Sequence, residues 1–303
     1  MEEKYEYLKV CKIQKLEKID YFSVTAHIWT DVLNTISYLG ITVYYEFEDE
    51  LQTTTISVTE ITERHTSEVI RKWIKTILQN WHIDDEKIIV VVTDNGANIK
   101  KAFRDTFGST RHISCFAHSI NLVADDTINF QNAISLCTKI KNIVTYFKQS
   151  TIITDALRKL THLKLIQSID TQWNSTFGML QRFTSLSKEI GSILLSFPDS
   201  YEMLTATELQ LANEVIEVLQ PLEQLTREIC GEQLVTASKI IPLINCLKNK
   251  NEKLRESLKT PTALSLVDCL QNSISVRFGY IEENSIMATL TILNPRFKKL
   301  HFN

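Results

Sequence analysis

The chain has 303 residues, 44% of them hydrophobic and 23% charged, with a formal net charge of −3. That length supplies material for one large domain or two ordinary ones, and the scarcity of glycine and proline excludes a fibrous or low-complexity protein. The mildly acidic balance excludes a globally basic nucleic-acid binder, so any such contact needs a local patch. Six cysteines (Cys11, Cys115, Cys137, Cys230, Cys246 and Cys269) lie far apart, which predicts reduced thiols in an intracellular protein. No C-x₂₋₄-C precedes paired histidines, so no zinc finger is expected. No apolar run reaches spanning length, and the start MEEKYEY has the pattern of neither a signal nor a transit peptide. The expectation is a soluble protein without a membrane partner.

In chain order, residues 1–20 are charged with a loose helical pattern (Tyr7, Leu8, Cys11, Leu16, Ile19), which predicts a surface helix. Tyr21–Trp29, Ile36–Phe47 and Leu51–Val58 are rich in β-branched and aromatic residues, and their turn spacing predicts an antiparallel meander. Thr66 is placed to cap a helix whose inner stripe is Val69, Ile70, Trp73, Ile74, Ile77, Leu78 and Trp81. Ile88–Val92 is an unbroken β-branched run, which predicts a strand buried on both faces. It ends at Thr93-Asp94-Asn95-Gly96, and a helix follows from Ala97 to a stop at Gly108. Three antiparallel strands, a helix, an inner strand and a helix follow the order of a ribonuclease H-like α/β fold. A short fifth strand at Arg111–Ser114 would complete its sheet.

From Cys115 onward the pattern turns helical. Phe116–Ala124, Ile128–Phe147, Thr154–Leu165, Thr176–Phe197, Thr205–Cys230, Ala237–Leu258 and Ala263–Tyr280 all carry helical periodicity, and Pro221 is expected to kink or interrupt the fifth. No fixed period repeats, so an irregular helical domain is expected rather than a solenoid. The domain plan is a surface helix (1–20), a ribonuclease H-like core (21–166) and a large all-α insertion domain (167–303). Gln167–Thr176 is the least regular stretch and forms the connection.

Asp94 is the first residue to explain. A carboxylate at the carboxy-terminal tip of an inner strand sits where open α/β sheets place their chemistry. The plainer alternative, favoured on local sequence, is that Asp94 or Asn95 caps the helix that follows.

Four motifs follow one another along the chain: Ser37-Tyr38-Leu39-Gly40, Thr93-Asp94-Asn95-Gly96-Ala97-Asn98, Cys115-Phe116-Ala117-His118-Ser119-Ile120-Asn121-Leu122 and Thr171-Gln172-Trp173-Asn174-Ser175-Thr176. In this order and spacing they resemble hAT-superfamily transposases and the zinc finger BED domain-containing proteins derived from them. The segment Thr226–Pro242 and the Leu293-Asn294-Pro295-Arg296-Phe297-Lys298 end continue the likeness, which covers nearly the whole chain. The family plan adds an amino-terminal BED finger and a carboxy-terminal dimerisation segment. Neither is expected here, nor is the core's last helix, so oligomerisation is expected to be weak or absent.

The resemblance implies DNA cleavage and strand transfer by two divalent metal ions held by three carboxylates. The second carboxylate corresponds to Asp94. The first belongs in a threonine-threonine-aspartate-leucine-tryptophan-threonine pattern, which here is Thr25-Ala26-His27-Ile28-Trp29-Thr30, so His27 replaces the aspartate. Imidazole favours zinc and later transition metals over magnesium and supplies no negative charge. Asp31 lies four residues on, roughly 13 Å along an extended strand, too far to share the ion. The third carboxylate falls in the segment not expected here. No metal site or cofactor is therefore expected, Mg²⁺ or Mn²⁺ belonging only to an active-nuclease alternative in a longer isoform.

Cys115 and His118 correspond to the family's C-x-x-H element near DNA and the active site. The favoured reading makes both core-facing, with His118 hydrogen-bonded to backbone or to Asp94; the alternative joins them with His27 as a metal site. Trp173 corresponds to a tryptophan associated with stacking on DNA ends, its preceding arginine being Gln172 here. A buried tryptophan packing the insertion on the sheet is the favoured role. Arg296 and Lys298 are candidates for phosphate contact, ahead of the lysine-rich Lys248–Lys259, whose interspersed glutamates suit a solvated helix face. The expectation is a catalytically inactive, nuclear, transposase-like protein that binds DNA weakly or engages other nuclear proteins. A pure interaction scaffold is the remaining alternative.

Overall fold

The computed structural model describes residues 2–31, 33–169, 172–197, 201–229 and 237–300. Thr171, Cys230 and residues 231–236 of the Thr226–Pro242 segment lie outside the described residues. The chain divides into two units, one ending at Ser119 and the other beginning at Ile120. This division falls earlier than the boundary expected at 166/167.

The first unit opens with helix α1 (Glu2–Leu16), whose charged body is exposed while Leu16 is buried. Strands β1 (Phe22–Asp31), β2 (Ile36–Phe47) and β3 (Glu50–Glu60) form the expected meander. β2 pairs antiparallel with both neighbours. Helix α2 (Ser67–Asn80) begins at Thr66, whose hydroxyl accepts the Val69 N–H. Strand β4 (Ile88–Thr93) then lies parallel to β1, and after helix α3 (Ala97–Phe107) strand β5 (His112–Ser114) lies parallel to β4. The order β3-β2-β1-β4-β5 is the ribonuclease H-like sheet. Crossing from one parallel strand to the next requires a helical connection, which α2 and α3 supply.

Period-two alternation points Leu39, Ile41 and Val43 of β2 inward, where they join Ile70, Ile74 and Leu78 of α2 and Ile99, Ala102 and Phe103 of α3 in one core. Each large side chain removed fully from water there contributes about 1.5–3 kcal/mol. Gly108 follows α3 at φ 89°, a backbone that glycine adopts without strain. β4 is not buried on both faces: Ile88 and Val91 are fully buried, but Ile89 is 50% exposed and Val92 lines an open cavity. An apolar run therefore marks an inner strand here without a helix layer over each of its residues.

Helix α4 (Phe116–Ile128) begins in the first unit and continues into the second, where α5 (Gln131–Gln149), α6 (Thr151–Leu160), α7 (Trp173–Ser185) and α8 (Ser187–Leu195) come next. Helices α9 (Ala206–Ile229), α10 (Ile240–Leu254), α11 (Pro261–Phe278) and α12 (Ser285–Leu293) follow. Three expectations are corrected. Thr176–Phe197 is two helices broken at Leu186, whose N–H still bonds the carbonyls of Arg182 and Phe183. Pro221 does not interrupt α9: it is buried, and the flanking side chains Val218, Leu219 and Leu222 hold the helix against the core. Helix α12 was not anticipated. Its β-branched, threonine-bearing run lacks a polar stripe, yet Asn284 caps it by accepting the Met287 N–H.

Candidate functional site

β1 and β4 are adjacent parallel strands at the middle of the sheet, with Ala26 opposite Thr93. The next residue on each strand is therefore His27 and Asp94, and both line a cavity of 510 Å³ within the first unit. The His27 Nε2 and Asp94 Oδ2 atoms are 4.0 Å apart, beyond hydrogen-bonding distance. The imidazole is open to solvent while the carboxylate is mostly covered.

Asp94 is fixed by its own turn. Its Oδ1 accepts the Gly96 N–H at 2.8 Å, and Gly96, not Asp94 or Asn95, is the N-cap of α3. The capping expectation is thus corrected: the carboxylate orders the turn before the helix and spares Oδ2 for the cavity. A Cβ on Gly96 would stand 3.0 Å from Asp94 Oδ1 and 3.3 Å from Ile99 Cγ2, so glycine suits this close approach. Asn95 turns the other way and donates to Ser119 Oγ at 2.9 Å.

Behind Asp94 sits a buried polar relay that sequence reasoning missed. His112 Nε2 is 2.8 Å from Thr93 Oγ1, and the Thr93 hydroxyl donates to the Asp94 carbonyl at 2.9 Å. The Arg104 guanidinium donates to His112 Nδ1, which selects the neutral tautomer with its proton on Nε2. Burial, and then the nearby charges of Arg104 and Lys100, push the His112 imidazole down to about 4. The Cys115 N–H donates to the Thr93 carbonyl at 2.6 Å, tying the start of α4 to the same strand tip.

Cys115 and His118 are half-buried and line the cavity with His27 and Asp94, which corrects the core-facing expectation. No hydrogen bond joins His118 to Asp94 among the described residues. Nor do three metal-ligating side chains converge among those residues. Asp31 is at the far end of β1, where its carboxylate accepts the Leu33 N–H and the Asn34 side-chain amide. These bonds, that of Asn34 foremost, hold it below the usual carboxylate range.

An aromatic row leads away from the cavity, which His27 and Trp29 line. His27 and Trp29 stack with centroids 6.0 Å apart, and Trp29 stacks on Tyr38 at 5.7 Å. Gly40 lies beneath: a Cβ there would be 2.8 Å from Trp29 Cζ3, so its absence lets the indole lie on the sheet. The signal was present in the i, i+2 spacing of His27 and Trp29 and in the hairpin that sets Tyr38 opposite Trp29.

The other sequence candidates belong to the second unit. Trp173 opens α7 and is buried beside Phe177, 6.3 Å between centroids, against a separate cavity of 260 Å³ that Cys137 and Ser168 also line. Phe177 and the cavity residues Cys137 and Met179 beside it belong to the same helical unit. Arg296 and Lys298 are both exposed, with Arg296 donating to Asn294 Oδ1 at 3.1 Å.

Comparison with known proteins bears on this geometry. Residues 113–218 match the family model of the ZBED1 RNase-like helical domain. The chain is similar to zinc finger BED domain-containing protein 4 of Homo sapiens, 26% identical over 216 residues, covering 69% of this chain and 18% of that protein. It is 27% identical over 240 residues to the putative AC transposase of Zea mays, covering 72% of the chain and 29% of the relative. The transposable element Hobo transposase of Drosophila melanogaster is 26% identical over 224 residues, 74% of the chain and 33% of the relative. The chain thus spans a third or less of the length of each. With a ribonuclease H-like sheet and a helical unit, the chain is similar to hAT-type transposases and to BED-type zinc finger proteins over the matched residues.

Proposed function

We propose that this chain acts by association, with DNA or with other nuclear proteins, and that its strand-tip site does not cleave DNA. The observation that carries this reading is His27 facing Asp94 at 4.0 Å, where the family's pattern has an aspartate. A pair of magnesium ions demands oxygen ligands in near-octahedral geometry and negative charge to balance it. An imidazole supplies neither, and Asp94 already commits Oδ1 to the Gly96 N–H. The residues at this tip do not fit the metal pair, and no cleavage step is drawn through it.

DNA association gains support from the exposed His27 and Trp29 and the half-buried Tyr38 beside them, since aromatic faces stack on unpaired bases without regard to sequence. The likeness to BED-type zinc finger proteins supports a nuclear location. Labelled DNA incubated with the purified chain and Mg²⁺ or Mn²⁺ tests the reading: it predicts retention without cleavage, with affinity that falls as salt rises. Cleavage that Asp94→Asn abolishes contradicts it.

A further inference from the structure

The second unit carries a cavity of 510 Å³ between α9, α10 and the turn after α12, far in sequence from the strand tip and not used by the reading above. Its apolar lining includes Leu225, Leu243, Leu247 and Phe297. The polar lining is unequal in charge. Among the described residues, Lys239, Lys250 and Arg296 stand against one carboxylate, Glu228, which pairs with Lys239. Lys239, followed by the charge of Arg296, holds the Glu228 carboxyl below its ordinary range. Lys250 is left with a neutral partner, Gln224 Oε1 at 2.8 Å, and Arg296 with the neutral Asn294 side chain. Both cations are exposed at the edge of the apolar lining.

We propose that this groove docks an acidic amphipathic segment of a partner protein. Its apolar side chains enter between Leu225, Leu243 and Phe297, and its carboxylates reach Lys250 and Arg296. The charge imbalance selects the occupant: a neutral or basic segment would bury the apolar floor but leave Lys250 without opposite charge and Arg296 with only the Glu228 carboxylate that Lys239 already pairs. An amphipathic helix matches the arrangement, because residues at i, i+3/i+4 and i+7 form one apolar face flanked by polar positions. This assigns Arg296 to a protein partner rather than to phosphate.

The test is selection of a displayed random-peptide library against the purified chain and against Lys250→Glu/Arg296→Glu, two surface substitutions whose folding is verified by circular dichroism. Enriched peptides are expected to combine Leu, Phe or Trp at helical spacing with Asp and Glu, and to bind the double variant about tenfold or more weakly. Cys246 is exposed and lines the groove, whereas exposed Cys11 lies in the first unit. A bound peptide is expected to slow alkylation of Cys246 while leaving Cys11 unchanged. No enrichment, basic or uncharged consensus peptides, or indifference to the double variant overturns the proposal. Concentration-dependent self-association abolished by the same substitutions also overturns it, making a second copy the occupant. Duplex DNA that protects Cys246 and is lost with Arg296→Glu does so too, returning these cations to phosphate. None of these outcomes depends on whether Asp94 supports cleavage.

Discussion

Thr93, Asp94 and His112 show how one buried imidazole organises a strand tip. His112 is 5% exposed and titrates at about 4 because burial and two neighbouring cations oppose its charge. In the unfolded chain a histidine titrates near 6.5. Between those values the unfolded state binds a proton that the folded state does not, so stability is full above 6.5 and declines as pH falls toward 4. The decline is expected at about 1.4 kcal/mol per pH unit, roughly 3 kcal/mol in all. Urea denaturation at a series of pH values measures it. His112→Asn is expected to be less stable at pH 7 and to lose most of the slope, whereas an unchanged slope would remove His112 as its source. The sequence showed Asp94 and His27 because strand tips and motif positions are local features. His112 was missed because its importance comes from three-dimensional proximity across β4 and β5, 19 residues from Thr93.

At the scale of elements, the helical unit is held by contacts that helical periodicity cannot display. Glu214 of α9 is 6% exposed and accepts the N–H groups of Lys259 and Thr260 and the Thr260 hydroxyl, closing the amino terminus of α11. Burial pushes its carboxyl up, but the bonds from Thr260, Gln210 and Lys259 outweigh that and leave it below the ordinary value. Its contribution is therefore present above the unfolded carboxylate range and lost as pH falls through the lowered folded value. Glu214→Gln is expected to cost about 2 kcal/mol at pH 7, read as a lower denaturation midpoint, with the difference shrinking in acid. An unchanged midpoint would contradict the role. Asn251 of α10 presents the opposite case, fully buried with both amide atoms unpaired among the described residues. Replacing it by leucine is expected to raise stability by about 1–2 kcal/mol; a fall in Tm would show that the amide has a partner. Strand and helix positions were legible where propensity and period agreed, as in β2 and α2. Misreadings fell where packing overrode local rules, at Pro221 inside α9 and in α12.

For the whole molecule, the sequence announced the α/β-then-α plan because hydrophobic period switches from strand-like to helical near Cys115, close to the division at Ser119. The open cavity beside Val92 was not visible, since it arises from side chains on paired strands, whereas the aromatic row over Gly40 left a signal in the spacing of His27 and Trp29. They bring Asp94 together with an imidazole and two further aromatic side chains rather than with further carboxylates. The central claim is that such a tip cannot hold a pair of hard divalent ions. Manganese titration of the purified chain, followed by electron paramagnetic resonance and calorimetry, tests it most directly. The account predicts no saturable two-ion binding, and a gain of manganese affinity when His27→Asp restores the second carboxylate. Two ions bound by the unaltered chain and lost with Asp94→Asn would contradict it.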